Sequence, residues 1–405
     1  MRDSPERLAE ASDQRRQGRA RVLAAIRRAG AIARVDIARE TGISAATVTA
    51  LTAELLAEGL IERIEPEGRA GAMRRGRPRE ALKVRGAARL MAGAKVSHRV
   101  ITVLLVDFEG AEIGAHEVRR SEIASTPEAL ADAIVAATAA ACAAHGRALS
   151  ELSGLCVGLA GHVDGGRGHV HWSSALDRRS VDFAPVLATR APCPVFLEND
   201  ANLVAKAEQL FGRGRGVADF LVVTIQHGIG LGLVVDGRLH RGARGCSGEF
   251  GHTKVTAGGA LCQCGQRGCL EAYAGGYGLS ARAAEAGLPG LDLDGVSAAE
   301  AAGDPTVCRI LSEARGYFAT GLANLVTVFD PELVILAVET EGTHPLCTPE
   351  VLEEVRRLSL SVDAPPTEII VHAWGDRMWA EGAAAYAIER VEALAVERRP
   401  LGQSA

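Results

Sequence analysis

The sequence predicts a winged helix-turn-helix at the N-terminus followed by an α/β body. Three observations predict it. A glycine turn near residue 42 separates two short helical segments with apolar stripes, and after Gly86 the pattern changes to alternating strands and helices. The charge also changes sign. Up to Gly86 there are 18 Lys and Arg against 12 Asp and Glu, a net of +6, so the remainder carries −11 within an overall −5. A basic head on an acidic body is the asymmetry expected when one end meets phosphates.

Composition bounds the rest. At 405 residues, 47% hydrophobic and 23% charged, the chain has room for two or three domains with ordinary cores. Aromatics are scarce at 4%, so those cores are built largely from aliphatic residues. No apolar run is expected to reach the ~18 residues of a membrane span, and the charged N-terminus lacks the apolar stretch of a secretory signal. Nine cysteines, of which three cluster, argue for a reducing compartment rather than a disulfide framework. The expectation is a cytoplasmic protein with no membrane partner.

In the head, Val22, Leu23 and Ile26 recur at helical spacing and Gly30 ends the helix. A second helix covers Val35 to Glu40, with Ile37 and Ala38 inward. Gly42 makes the turn, and Ser44 caps a third helix whose buried stripe is Val48, Leu51 and Leu55. That order places the third helix in the major groove of double-stranded operator DNA. "LIERIE" and "REALKV" read as the two strands of a wing, and the loop between them carries Arg69, Arg74, Arg75, Arg77 and Arg79. The expected DNA-contacting residues are Ser44, Ala45, Thr47 and Thr49 on the helix, with Arg74, Arg75, Arg77 and Arg79 on the wing. Alanines at 45 and 46 leave base readout to Ser44, Thr47 and Thr49, so much of the affinity is electrostatic. Two half-sites require two heads, hence a homodimer or a higher assembly such as a tetramer. A helical interaction domain with a basic loop is the alternative.

In the body, "TPEALADAIVAATAAACAAHG" reads as a helix, "LSGLCVGLAGHVD" as a buried strand ending in glycines, and "PVFLENDANLVAKAEQLFG" as a strand entering a helix. "FLVVTIQHGIGLGLVVDGRL" reads as a hairpin, followed by a helix and strand up to Ala337 and a closing helix near Ala380. Between the hairpin and the next helix lies "CQCGQRGCLE". Cys262, Cys264 and Cys269, with His252 ten residues upstream, form a Cys₃His set suited to tetrahedral Zn²⁺. Four protein ligands leave no open position, so the expected role is structural. Four unligated side chains in a reducing cytosol are the alternative.

The body resembles the ROK family of sugar kinases and sugar-responsive repressors. The residues that carry the resemblance are "ENDAN" at Glu198–Asn202, "GEFGH" at Gly248–His252, "CQCGQRGCLE" at Cys262–Glu271 and "GLANLVTVFDPELVIL" at Gly321–Leu336. It covers roughly residues 20 to 395, since the family's repressors also carry a winged helix-turn-helix in front. It implies a two-lobed, actin-like and ribonuclease H-like ATPase-type body behind the head. The implied division is 1–86 for the head, 87–198 with 376–395 for the first lobe, and 199–375 for the second lobe with the metal loop and the cleft. It also implies a sugar pocket lined by Asn199, Asp200, Glu249, His252 and Glu271, with Asp200 at the position of the kinases' general base.

The kinases' phosphate contacts are another matter. Where the family carries DxGGT, this chain has Lys95 for the Asp, and Ser97 and His98 for the glycines. The family's TxGTGxG turn reads "TIQHGIG", with Gln226 and His227 in the Gly and Thr places, and a third glycine pair has become Ala337-Val338. Phosphoryl transfer depends on positioning and neutralising the nucleotide's charge. The expectation is therefore a sugar-responsive repressor of carbohydrate uptake or catabolism genes, without kinase activity and with Asp200 as a vestigial base. A working ATP-dependent sugar kinase with a DNA-binding extension is the rival. On the sugar side, Ala175 stands where the family often has Asn, so the ligand need not be glucose or N-acetylglucosamine.

Overall fold

The computed structural model describes residues 5–64, 80–97, 99–338, 344–360, 363–375 and 377–397. The head begins with α1 (Pro5–Ala29), which ends at Gly30 (φ +71°), then β1 (Ile32–Ala33), α2 (Arg34–Thr41) and α3 (Ala45–Ala57). Gly42 takes φ +68° in the turn between α2 and α3, and the Ser44 hydroxyl accepts the Thr47 N–H as the N-cap of α3. Strands β2 (Ile61–Ile64) and β3 (Ala81–Val84) pair antiparallel, with β1 on the other side of β3. This is the expected winged helix-turn-helix. The wing arginines Arg69, Arg74, Arg75, Arg77 and Arg79 lie outside the described residues.

One difference concerns α1, which starts 14 residues before the Arg19 read from the sequence. Its first half carries no apolar stripe, so hydrophobic periodicity gave no sign of it. Ion pairs onto α3 anchor its middle: Arg15 to Glu54, and Arg19 to Glu54 and Glu58.

The first body sheet has the order β11-β7-β4-β5-β6, formed by β4 (Leu90–Val96), β5 (Val100–Asp107), β6 (Glu112–Arg119), β7 (Leu152–Leu159) and β11 (Val195–Asn199). Strands β4, β7 and β11 run parallel, and β5 and β6 are antiparallel additions. One face is covered by α4 (Pro127–Ala144), which is long and apolar enough to span a membrane, contrary to the expectation from sequence. Leu130, Ile134, Ala137 and Ala141 of α4 are buried against this sheet, which makes it a core helix. A small antiparallel sheet of β8 (His162–Asp164), β9 (His169–Trp172) and β10 (Val181–Asp182), then α5 (Phe183–Ala188), sits between β7 and β11 in the chain.

Helix α6 (Asp200–Leu210) leads into the second sheet, whose order is β14-β13-β12-β15-β16. Its strands are β12 (Phe220–Ile225), β13 (Ile229–Val235), β14 (Arg238–Leu239), β15 (Leu333–Val338) and β16 (Glu368–Ala373). A cysteine-rich loop and helices α7 (Glu271–Ala274), α8 (Gly276–Glu285), α9 (Leu293–Ala301) and α10 (Pro305–Phe329) intervene between β14 and β15, and α11 (Pro349–Leu358) lies between β15 and β16. The closing helix α12 (Met378–Glu397) returns to pack on β4, β7 and α6. It comes so close to β4 that a Cβ on Gly93 would lie 2.2 Å from the Ala384 nitrogen.

The head is not tethered by a loose linker. Val22, Leu23 and Ile26 of α1 share one buried core with Phe108, Ile388 and Val391 of the body. At the seam Arg27 donates to the Phe108 carbonyl at 2.7 Å and to Glu392 of α12 at 3.0 Å, with its guanidinium 5.0 Å from the Phe108 ring centre. Burial holds the Glu392 carboxyl above its ordinary pKa even with this cation beside it. Arg215, between α6 and β12, donates to the Arg28 carbonyl at 2.6 Å.

Candidate metal centre and ligand cleft

The donor atoms of His252, Cys262, Cys264 and Cys269 all lie within 4.8 Å of one another. Cys262 Sγ is 3.6 Å from His252 Nδ1, and Cys264 Sγ is 3.7 Å from Cys269 Sγ. A tetrahedral ion held by thiolates at ~2.3 Å keeps its donors about 3.8 Å apart, so the four residues fit one. The loop is shaped by its glycines. Gly268 has φ +79°, and a Cβ there would lie 1.7 Å from the Thr256 carbonyl oxygen. Around the donors, Lys254 Nζ reaches Cys269 Sγ at 3.2 Å and the Tyr277 hydroxyl lies 3.1 Å from Cys262 Sγ. Both can offset thiolate charge.

His252 has two faces. Its Nδ1 turns to Cys262, and its Nε2 lies 3.8 Å from Glu249 Oε2 on the cleft side. Glu249 also meets His162 of β8, with Nε2 at 3.4 Å, so this contact joins the loop before the cysteines to the small sheet. The Glu249 carboxylate raises the His162 pKa against a smaller lowering by burial.

Glu271, at the start of α7, accepts the Ile229 N–H at 2.9 Å and approaches Cys262 Sγ at 4.0 Å. It therefore braces the turn between β12 and β13 as well as facing the metal loop. That turn holds Gln226 and His227. The Gln226 N–H bonds the Gly228 carbonyl, and the Gln226 and His227 carbonyls accept from Gly276 and Tyr277.

On the opposite wall, Asp200 opens α6. Burial lifts its pKa to about 6, against the opposing pull of Lys95, while Glu249 adds to the rise. The Lys95 ammonium sits 3.3 Å from the centre of the Trp379 ring. Asn199 is less free than the sequence suggested. Its amide oxygen caps α6 by accepting from Ala201 and Asn202, and its Nδ2 donates to the Gly161 carbonyl at 2.7 Å. One amide hydrogen remains for a ligand. His98 lies outside the described residues.

The structure thus brings Glu249, His252 and Glu271 together around the Cys/His cluster, with Asp200 near enough to Glu249 to feel its charge and Asn199 capping the helix that Asp200 opens. Sequence reasoning passed over His162, whose signal was its place just after a glycine-ended strand. It also passed over the buried Glu198 and its part-exposed partner Arg241, 2.7 Å apart, under the "ENDAN" turn.

In the head, the front of α3 presents Ser44, Ala45, Ala46, Thr47, Thr49 and Ala50, all exposed, while Val48, Leu51 and Leu55 are buried. Two of the polar groups are partly committed. The Ser44 and Thr47 hydroxyls bond at 2.8 Å, and the Thr49 hydroxyl donates to the Ala45 carbonyl.

Asp200→Asn is expected to raise stability at pH 7–8. The folded pKa of about 6 lies above the ordinary 3.8, so folding disfavours the ionised form. The gain is bounded at about 3 kcal/mol and reduced by water reaching the half-buried group. It should shrink as pH falls through 6 and vanish near 4, where the wild-type carboxyl is protonated folded or unfolded. Urea unfolding of both proteins across this range measures it.

A DNA-reading head on a two-lobed body with a cleft beside a Cys₃His cage defines the class: a winged-helix protein built on an actin-like sugar-kinase fold. The chain belongs to the ROK family, whose profile matches residues 94–390, and the MarR family profile matches residues 14–70. It is 29% identical to the glucokinase of Streptomyces coelicolor over 318 residues, 74% of this chain and 98% of that one. It is 26% identical to the xylose repressor of Bacillus subtilis over 360 residues, 88% of this chain and 91% of that one. Among solved structures, a ROK family transcriptional regulator described as a homolog of the Escherichia coli MLC protein superposes with a TM-score of 0.78. That match covers 95% of this chain and 98% of the other at 22% identity, a likeness of fold.

Proposed function

We propose that the chain is a homodimeric DNA-binding transcriptional repressor of carbohydrate uptake or catabolism genes, responsive to a sugar and without kinase activity. The observation that carries this reading is the state of the cleft. Glu249, His252 and Glu271 converge on it, while Lys95 stands where the family's kinases carry a metal-binding Asp. An ammonium cannot ligate Mg²⁺, and the amides of Gln226 and Ile229 are spent on Gly228 and Glu271 rather than offered to a phosphate. Both supports weigh against the rival kinase.

In this reading the cage of His252, Cys262, Cys264 and Cys269 holds a structural Zn²⁺, which sets the orientation of His252 and the position of Glu271. Sugar hydroxyls meet Glu249, His252 Nε2, Glu271, Asp200 and the remaining hydrogen of Asn199. The working units are 1–86, 87–198 with 376–395, and 199–375. Ser44, Thr47 and Thr49 read the major groove, and the wing arginines hold phosphates.

The test uses a duplex selected by the protein from a random pool, with glucose, xylose and N-acetylglucosamine each added at saturation. At least one sugar should change duplex affinity by ~5- to 150-fold, the usual range of coupling between sites. Glu249→Ala should leave sugar-free DNA binding intact and abolish the change, because among the described residues its side chain forms ion pairs only with His162 and His252. Glu271→Ala is the poorer probe, since it also strands the Ile229 N–H. Turnover of ATP with any of these sugars in a coupled assay would overturn the reading in favour of the kinase.

A further inference from the structure

The chain has three tryptophans, and two are accounted for. Trp379 is buried beneath Lys95, and the Trp374 indole donates to the buried Glu208 at 2.6 Å. Trp172 is 37% exposed at the end of β9, in register with His162 on β8. Its ring lies 6.0 Å from that of His162, and the His162 ring is 6.2 Å from that of His252. His162 thus stands next to both the His252 ring of the Cys/His cluster and the exposed Trp172 ring.

At the outer end the Arg179 guanidinium lies 6.0 Å from the Trp172 ring centre. Arg179 is exposed and forms no salt bridge among the described residues, whereas its neighbour Arg178 pairs with Glu128 and Asp177. The residue after it, Ser180, has φ +56°, a region costly for a side chain other than glycine. The inner part of the site is correspondingly poor. Ala175, at the position where the family often has Asn, is buried and offers no amide, and Asn199 is largely spent on its own helix.

An indole left in water costs hydration free energy that a flat apolar partner recovers, and the C–H face of a sugar ring is such a partner. Its hydroxyl rim would still find donors in Arg179 and His162.

We infer that Trp172, with His162 and Arg179, forms a second subsite that takes the outer ring of a glycoside, so that the effector is a disaccharide rather than a free monosaccharide. This rests on reading the cleft as a sugar site. It assigns the inner ring to Glu249 and His252 and the outer ring to Trp172.

The experiment titrates the full-length protein by calorimetry and tryptophan fluorescence. The ligands are glucose, xylose and N-acetylglucosamine against maltose, cellobiose, xylobiose and diacetylchitobiose. At least one disaccharide should bind tenfold or more tightly than its monosaccharide and change the fluorescence. Trp172→Ala, whose side chain lies at the surface, should melt like the wild type and bind the two forms equally. Trp172→Phe should keep the preference while losing the fluorescence change. A monosaccharide that binds as tightly as its disaccharides, with Trp172→Ala unaltered, would overturn the subsite and leave the sugar site standing. Absence of binding by every sugar in the panel would overturn both.

Discussion

If the proposed zinc-bound, sugar-responsive reading holds, Cys264→Ser is expected to lose the metal ion, stability and the sugar response in one step. Cys264 is the exposed member of the cage, whereas Cys262 and Cys269 are buried. A serine there costs little packing, so the loss reports the ion rather than a cavity. An ion present at a hundredfold its Kd stabilises the fold by about 3 kcal/mol, and that is the scale of the expected deficit. The response fails with it because His252 belongs to the cage and Glu271 touches Cys262. Elemental analysis should find about one zinc per wild-type chain and far less in the variant. Wild-type protein melted after chelation should superpose on the untreated variant. A variant that loses zinc but keeps wild-type melting and sugar response would show that the cage supports neither.

The second large effect belongs to the seam between head and body. Arg27→Ala leaves Glu392 in place among apolar residues without its cation, and breaking such a pair costs about 3–5 kcal/mol. The deficit should depend on pH with a definite sign. Glu392 already has a raised pKa, and loss of Arg27 raises it further. The penalty is therefore full above that raised value and declines as acid protonates the carboxyl. Denaturation at pH 5 and pH 8 should show the smaller loss at pH 5. The double variant Arg27→Met with Glu392→Leu removes both charges and should recover most of the stability. An equal loss at both pH values would mean that Arg27 acts through Phe108 alone.

Much of this was legible in sequence because the signals were local. The Gly42 turn, the Ser44 cap and the Val48-Leu51-Leu55 stripe lie within fourteen residues, and the cage residues within eighteen. Other features depended on distant pairing. Lys95 rests on Trp379, and Arg27 meets Glu392, across nearly the whole chain. No periodicity encodes such contacts. The first half of α1 was missed for the opposite reason, since it is helical without an apolar face. Asn199 was read as a ligand contact because its type suits one. Only the backbone showed that its oxygen is already a helix cap. The pair of His162 and Trp172 was hidden in a stretch whose strands are two to four residues long, too short to show alternation.

The continuous core across the seam has a consequence for anyone wishing to rewire this protein. Val22, Leu23 and Ile26 have their apolar faces covered partly by α12, the last helix of the chain. A head cut after Gly86 would carry that face uncovered, and a body cut before it would expose Phe108, Ile388 and Val391. Neither piece is a cartridge. Exchanging heads between such proteins to redirect one sensor to another promoter requires transplanting the matching face of α12, or repainting both surfaces together. The same junction that makes the parts hard to swap fastens the head to α12.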